Sequence, residues 1–358
     1  MKAGIVGFPL VGKSTLFRLL TGNPGPSHGG RPGVRLGVAR VPDPRVAALA
    51  DIFKPKRRTW ATVEYVDVPG VSRGEGAALV DLPALRGVDA LVHVLRAFES
   101  DLVPHPEGSI DPRRDAATLE LELILADLGT VERRIERLEA SIQKARLPED
   151  VAERELFLRL KAALEAETPL REMDLSEEEQ RRLRGYALLS AKPLLLVPNL
   201  DEDRTRDADV FLRSSGLAEF ARRPQVALCA VSAPIEAEMS ELDPEDARAF
   251  REDLGLVEPG LDRVIRTSYD LLGLLSFLTV GEDECRAWTI RRGTRARVAA
   301  GTIHSDIERG FIRAEVVPFD DLVAAGSLAS CRERGTLRLE GKDFEVQDGD
   351  VINFRFAV

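Results

Sequence analysis

"GIVGFPLVGKSTLFRLLTG", residues 4–22, decides how the rest of the chain is read. A short apolar run, Ala3–Val6, leads into Gly7-Phe8-Pro9-Leu10-Val11-Gly12-Lys13-Ser14, which satisfies G-x-x-x-x-G-K-[ST] at every fixed position. "STLFRLL" follows with a helical pattern, so the spacing predicts strand, loop and helix in the order of a phosphate-binding loop. Unpaired backbone N–H groups and the dipole at a helix start favour an anion. Gly7 and Gly12 allow the tight wrap, and Leu10, Val11 and Thr15 complete the cradle. Lys13 reaches the β/γ-phosphates, and the Ser14 hydroxyl ligates Mg²⁺.

Working outward, "ATVEYVDVPG" at 61–70 is an alternating strand that ends in Asp67-Val68-Pro69-Gly70. A carboxylate at the end of a strand facing a phosphate loop holds Mg²⁺, usually through water, which assigns Asp67 to the metal. Gly70 is expected to bring its backbone N–H to the γ-phosphate. Together these stretches predict an α/β P-loop domain.

Composition limits the rest. The 358 residues suffice for two or three domains, and 44% hydrophobic content supports real cores. A net charge of −10 argues against non-specific coating of nucleic acid, so contact with RNA requires a local basic patch, and no DNA sequence recognition is expected. No stretch approaches the roughly 20 apolar residues that span a bilayer, and "MKAGIVG" lacks a signal-peptide core, so a cytoplasmic protein without a membrane is expected. Cys229, Cys285 and Cys331 are scattered and form no metal-ligand spacing, which fits reduced thiols.

Several further stretches have no meaning in P-loop proteins at large: "VPDPRVAALADIFKPKR" (41–57), "ELILADLGTVERRIERLE" (122–139), "VPNLDED" (197–203), "PGLDRVIRTSYDLLGLLSFLTVGEDECRAWTI" (259–290) and "LEGKDFEVQDGDVINFRF" (339–356). With the phosphate loop and "VEYVDVPG", they make the chain resemble the YchF, or Obg-like ATPase, family from residue 3 to residue 358. The resemblance implies a nucleotide domain interrupted by a helical coiled-coil hairpin and followed by a TGS domain of ubiquitin-like (β-grasp) fold. The expected boundaries are 1–111 and 191–274 for the nucleotide domain, 112–190 for the insert and 275–358 for the TGS domain. The resemblance also implies ATP in preference to GTP, and association with the ribosome.

The residues give their own reason for ATP. Guanine presents N1–H and an exocyclic amine, which GTPases usually meet with the aspartate of Asn-Lys-x-Asp. Here Asn199 is followed by Leu200 in place of lysine and by Glu202, one methylene longer, so the bidentate contact is misplaced. A desolvated donor left without its partner costs about 1–3 kcal/mol. ATP is the expected ligand and GTP the weaker one. Asn199 is expected to hydrogen-bond the purine and Leu200 to pack on its face, while Ser232 and Ala233 of "VSAP" supply the last base-contacting loop. Phe98 reads either as a base-stacking ring or as a core phenylalanine.

Hydrolysis needs a group that orients water. Val71 stands where many P-loop hydrolases carry a glutamine. The resemblance transfers the role to His105 in "ESDLVPHPEGSIDP" (99–112), although an isolated surface histidine is the plainer reading. Three departures from the family suggest slow turnover. Leu10 replaces an asparagine associated with potassium-assisted catalysis, and the 23–44 segment lacks the Mg²⁺-binding threonine, with Arg31 near its place. "DVPGVSRGEG" (67–76) is also shorter than the family's second switch. A nucleotide-gated ribosome or RNA adaptor with negligible turnover, and an ordinary GTPase switch, stand as alternatives.

Between 112 and 190, Ile124, Leu128, Val131, Ile135, Leu138 and Ile142 recur at spacings of four and three, the seam of a coiled coil. Pro148 marks the turn, and Leu156, Leu160 and Leu164 continue on a return helix. Such a hairpin is either a contact arm or a self-contained insert. From about 275 the period shortens to two, predicting a small mixed sheet. "RAWTIRRGTRAR" places Arg286, Arg291, Arg292, Arg295 and Arg297 beside Trp288 with no acidic residue among them. This patch is either a contact for ribosomal RNA, through phosphates and an aromatic stack, or a solvated strand face. "KPKRR" at 54–58 is a second, shorter basic cluster.

Overall fold

The computed structural model describes residues 1–22, 34–68, 82–100, 105 and 108–357. The apolar run that opens the chain forms β1 (Lys2–Val6), followed by β2 (Arg35–Arg40), β3 (Arg57–Thr59) and β4 (Thr62–Asp67). Next come β5 (Ala90–Ala97), β6 (Leu194–Leu200) and β7 (Val226–Leu228). The C-terminal part carries β8 (Leu274–Thr279), β9 (Glu284–Arg291), β10 (Phe311–Pro318), β11 (Arg338–Glu340) and β12 (Asp350–Phe356).

The chain divides into two compact units, Met1–Val38 with Glu64–Leu271, and Ala39–Val63 with Leu272–Val358. In the first, the sheet order is β2-β4-β1-β5-β6-β7. β1 runs parallel to β4 and β5, β5 to β6, and β6 to β7. β5 and β6 are buried at every position, as parallel strands covered on both faces require. Parallel pairing puts the carboxyl ends of β1, β4, β5 and β6 at one edge of the sheet, where the phosphate loop, Asp67, Phe98 and Asn199 lie.

The insert begins where its proline signals it. Pro112 opens a 33-residue helix, Pro112–Lys144, with Asp111 as N-cap accepting from the Arg114 N–H at 3.0 Å. The return helix, Pro148–Glu165, again starts on a proline, so Pro148 is the first helical residue beyond the turn. Ile124, Val131 and Ile135 pack with Leu156, Phe157, Leu160 and Leu164 in one apolar cluster, with Leu128 half-buried against it. Arg134 makes a two-pronged bond to Glu153, at 2.9 and 2.8 Å, and the Tyr186 hydroxyl donates to the same carboxylate at 2.6 Å. The hairpin is fixed to the sheet by Asp127. Its buried carboxylate accepts from the Leu189 N–H at 2.9 Å, and from the Ser190 N–H and hydroxyl at 2.7 Å each.

The second unit is a mixed sheet in the order β11-β10-β12-β8-β9-β3. The central β12 and β8 are parallel, while β8–β9, β10–β12 and β10–β11 are antiparallel. With the helix Ala296–Ile303 packed on its core, this is the β-grasp arrangement. One segment departs from the expected boundaries. The resemblance implies a nucleotide domain that includes residues 39–63, whereas the structure groups them with the C-terminal sheet. The reason is backbone pairing: β3 runs parallel to β9, with Arg57 opposite Glu284 and Thr59 opposite Arg286. The basic cluster 54–58 is correspondingly engaged, Lys56 with Asp283 at 2.8 Å, Arg57 with Glu284 at 3.0 Å and Arg58 with Asp51 at 3.5 Å.

Leu160 is fully buried in the seam. Leu160→Ala should therefore lower stability by about 2–5 kcal/mol, read as a lower denaturant midpoint for the helical signal. A change within error would show that the hairpin seam contributes little to the unit's stability.

Candidate functional site

The loop after β1 is shaped by two glycines that no other residue could replace. Gly7 has φ +145°, and a Cβ there would meet the Val94 carbonyl oxygen at 2.4 Å; Gly12 has φ +99°, and its Cβ would meet Asn199 Nδ2 at 2.5 Å. Between them Leu10 also takes a left-handed φ of +64° and leaves its side chain 60% exposed, while Val11 is buried. The helix Lys13–Thr21 starts immediately, and its first intrahelical bond runs from the Leu16 N–H to the Gly12 carbonyl at 2.9 Å. The N–H groups of Lys13, Ser14 and Thr15 thus have no intrahelical acceptor, which is what an anion at a helix start requires.

Lys13 is buried, and its ammonium turns back onto the Phe8 carbonyl at 2.5 Å. Burial pushes its pKa down to about 8, against the pull of Asp67 in the opposite direction. A phosphate would supply the charge that a single carbonyl cannot. The Ser14 hydroxyl donates to Asp67 Oδ2 at 3.1 Å. Burial raises the Asp67 pKa, opposed by the Ser14 bond and by the charges of Arg35 and Lys13. Asp67 Oδ1 is buried with no hydrogen-bond partner among the described residues. These two side chains fit Mg²⁺: a hydroxyl and a carboxylate lie together with one oxygen left over, and water and phosphate would complete the shell. Among the described residues no group of three or more His, Cys, Asp or Glu side chains could hold a metal.

Asn199 is the residue whose role the sequence least reveals. Its Nδ2 donates to the Val11 carbonyl at 3.1 Å, and its Oδ1 accepts from the Ala233 N–H at 2.9 Å. The expected purine contact is therefore preceded by a structural one: the carboxamide ties the phosphate loop to the Ser232–Ala233 loop. Ser232 is buried, and its hydroxyl has no partner among the described residues. Leu200 corrects an expectation. Its side chain is 1% exposed and packs with Ala97 and Ala230, against Phe211 and Leu212, so it lies in the core and not on a purine face. Strand alternation explains this: adjacent residues of β6 face opposite ways, and Asn199 takes the other side. Glu202 is exposed in the first turn of the helix Glu202–Thr205.

Phe98 is half-buried with the Arg96 guanidinium 4.7 Å from its ring centroid, and Arg96 Nε donates to its carbonyl at 3.2 Å. The plain surface reading of His105 does not hold. The ring is 3% exposed, with Nε2 3.0 Å from Asp115 Oδ2. Asp115 stands in the first turn of the hairpin helix, one helical turn after the capping Asp111, a signal that "IDPRRD" carried in the sequence. Gly70, Val71 and Arg31 lie outside the described residues.

His93, in the middle of β5, carries no signal of its own in the sequence because its neighbours make a continuous apolar run. It is 1% exposed, and neither ring nitrogen has a hydrogen-bond partner among the described residues. Burial, aided by the charge of Lys13, pushes its pKa down to about 3. Between pH 6.5 and 3 the unfolded chain therefore binds one proton more than the folded one, and stability falls as pH drops through that window.

Comparison with known proteins follows this geometry. Residues 2–127 match the family model described as 50S ribosome-binding GTPase. Residues 274–357 match the YchF-GTPase_C model, described as a protein of unknown function (DUF933). The chain is 43% identical over 366 residues to the "Ribosome-binding ATPase YchF" of Bacillus subtilis, covering 100% of both. It is 42% identical to the protein of the same name from Haemophilus influenzae, covering 100% of this chain and 99% of that one. A solved structure, the Schizosaccharomyces pombe YchF GTPase, superposes with a TM-score of 0.87 at 30% identity, covering 99% of this chain and 97% of that one.

Two measurements probe this site. Asn199→Ala should loosen the phosphate loop and weaken nucleotide binding at least tenfold in fluorescence titration, because it removes both bonds of the tie. His93→Leu should remove about 1.4 kcal/mol per pH unit from the acid slope of folding stability below pH 6.5. An unchanged slope would mean that the imidazole is solvated.

Proposed function

The chain belongs to the YchF family, and we propose that it binds ATP with Mg²⁺, hydrolyses it slowly and alters its hold on the ribosome with the nucleotide state. The observation that carries this reading is the convergence of Lys13, Ser14 and Asp67 on one glycine-framed loop that Asn199 ties to the base-side loop. Lys13 and the N–H groups at the helix start would hold the β/γ-phosphates, with Gly7, Val11 and Gly12 shaping the wrap and Gly70 approaching the γ-phosphate. Ser14 and Asp67 would hold Mg²⁺, which supplies charge neutralisation as the terminal phosphate leaves.

ATP is favoured because Glu202 replaces the guanine-reading aspartate and Leu200 is committed to the core. Asn199, Phe98, Ser232 and Ala233 would frame the adenine. His105 would order the attacking water, with the buried Asp115 carboxylate fixing its ring and tautomer, as a carboxylate behind an imidazole does.

For the ribosome, the Arg286–Arg297 segment is the favoured contact, through phosphates and not through an aromatic stack. Trp288 is already engaged within its own sheet: Arg286 lies 3.8 Å from its centroid, and the near-parallel Phe277 ring lies at 6.3 Å. Arg295 pairs with Asp343 at 2.8 Å, so the patch acts with part of its charge answered internally. The hairpin is the second contact arm. No helix among the described residues is long and apolar enough to cross a membrane.

A second reading, a nucleotide-gated ribosome adaptor with negligible turnover, is favoured by one observation. Leu10 projects an exposed apolar side chain from the loop, where a polar one would assist the phosphates.

Phosphate release from ATP and GTP, with and without ribosomes and beside Lys13→Ala, separates the two. ATP turnover that ribosomes raise and Lys13→Ala abolishes supports the ATPase. Tight ATP binding with no release above the control supports the adaptor, and faster release from GTP sinks the base reading. Replacing Arg291, Arg292 and Arg295 together with alanine should lower ribosome affinity in co-sedimentation more at low salt than at high salt, with a shallower salt dependence.

A further inference from the structure

Two arginines that the phosphate chemistry does not use converge on the short segment after β5. β5 and β6 pair in parallel, with Arg96 opposite Asn199 and Ala97 opposite Leu200. Residues in register on neighbouring strands share a face of the sheet, so Arg96 lies on the face from which Asn199 reaches the phosphate loop. Arg96 is 2% exposed, and its guanidinium folds along its own chain. Its Nε donates to the Phe98 carbonyl at 3.2 Å and its Nη2 to the Ser100 carbonyl at 3.5 Å, while its centre lies over the Phe98 ring, 4.7 Å from the centroid.

The Ala97 carbonyl is taken by Arg204, whose Nη1 donates to it at 2.7 Å. Arg204 belongs to the helix that carries Glu202. Its N–H donates to the capping Asp201 at 2.9 Å, and its guanidinium lies 3.5 Å from the carboxylates of both Asp201 and Glu99. Three carbonyls within four residues, those of 97, 98 and 100, are thus held by two planar cations. A guanidinium suits this work because it offers N–H groups at its edge and a face to an aromatic ring at the same time. Arg96 covers one face of Phe98, so a base has the other face to stack on.

We propose that Arg96 and Arg204 are positioning residues for the nucleobase: together they clamp the segment 97–100 so that Phe98 offers one fixed ring face to the purine. The inference rests on the reading that Phe98 frames the adenine, and it adds what holds the ring there. Stacking on an aromatic face tolerates any base. The clamp therefore raises affinity for adenine and guanine nucleotides alike, and leaves the choice between them to the Glu202 side. It does nothing for the phosphates, which belong to the loop after β1.

The test compares the full chain's affinity for Mg-ADP, which avoids turnover, with that for magnesium pyrophosphate, which has no base, by isothermal titration. Phe98→Ala should weaken ADP about tenfold and leave pyrophosphate unchanged. Arg96→Met should weaken ADP and GDP by about fivefold each, again with pyrophosphate unchanged, and Arg96→Lys should restore little, since one ammonium cannot replace the fork. Added to Phe98→Ala, Arg96→Met should bring no further loss, because it acts through that ring. Arg204→Met, at a half-buried position, should follow the same pattern at about threefold, and it decides should Arg96→Met fail to fold. Unchanged ADP affinity in Phe98→Ala would remove the base-stacking reading and the inference with it. A loss in Phe98→Ala that neither arginine variant shares would overturn the clamp alone. Equal losses of ADP and pyrophosphate in an arginine variant, or a loss that adds to that of Phe98→Ala, would mean a general loosening of the site and would also overturn it.

Discussion

The carboxamide of Asn199 is the small constraint on which the nucleotide end of this molecule depends. One side chain donates to the backbone of the phosphate loop and accepts from the backbone of the loop after β7. A side-chain amide can do both because it carries a donor and an acceptor on one planar group. Gly12 must be glycine for the same reason, since any Cβ would occupy the space of Nδ2. The phosphate loop and the Ser232–Ala233 loop are thus parts of one hydrogen-bonded frame, built before any ligand arrives. Asp127 does at the opposite edge what Asn199 does here. A single buried carboxylate satisfies three donors and seats the hairpin on the sheet.

The parts legible in the sequence were those encoded locally. The phosphate loop, the strand ending in Asp67, the proline-started helices and the hairpin seam each declare themselves within about twenty residues, through fixed spacing or periodicity. What stayed hidden depends on neighbours distant in the chain. Leu200 reads as a base-packing residue until strand alternation sends it into the core with Ala97 and Ala230. Trp288 reads as a free aromatic until the fold brings Phe277 and Arg286 against it. His105 reads as a lone surface histidine until helix formation brings Asp115 against it. Residues 39–63 read as part of the nucleotide domain because nothing in three residues of β3 identifies β9 as their partner.

Electrostatics in the site follow from burial more than from pairing. Lys13 and Asp67 are both pushed toward their neutral forms by desolvation, although they attract one another. In the proposed complex a triphosphate with its metal would reverse both pressures at once, adding negative charge beside the lysine and positive charge beside the carboxylate. The loop is therefore poised to be stabilised by its ligand, with its charges held at a cost that only binding relieves. Leu10 works against that economy by offering the phosphates no polar atom.

The pairing of β3 with β9 also bears on how the chain is made. Arg57 and its partner Glu284 are separated by 227 positions, from 57 to 284. At synthesis rates of about 5–20 residues per second, the early strand waits roughly 10–45 s for its partner to leave the ribosome. Through that interval the first unit can assemble, since its last residue is Leu271. The second unit cannot close until the final strands arrive. An open strand held back in this way is the kind of segment that misassembles with neighbours. Lys56 and Arg57 put charge on that edge, which disfavours such pairing, and in the folded chain Asp283 and Glu284 receive them, while Arg58 pairs with Asp51.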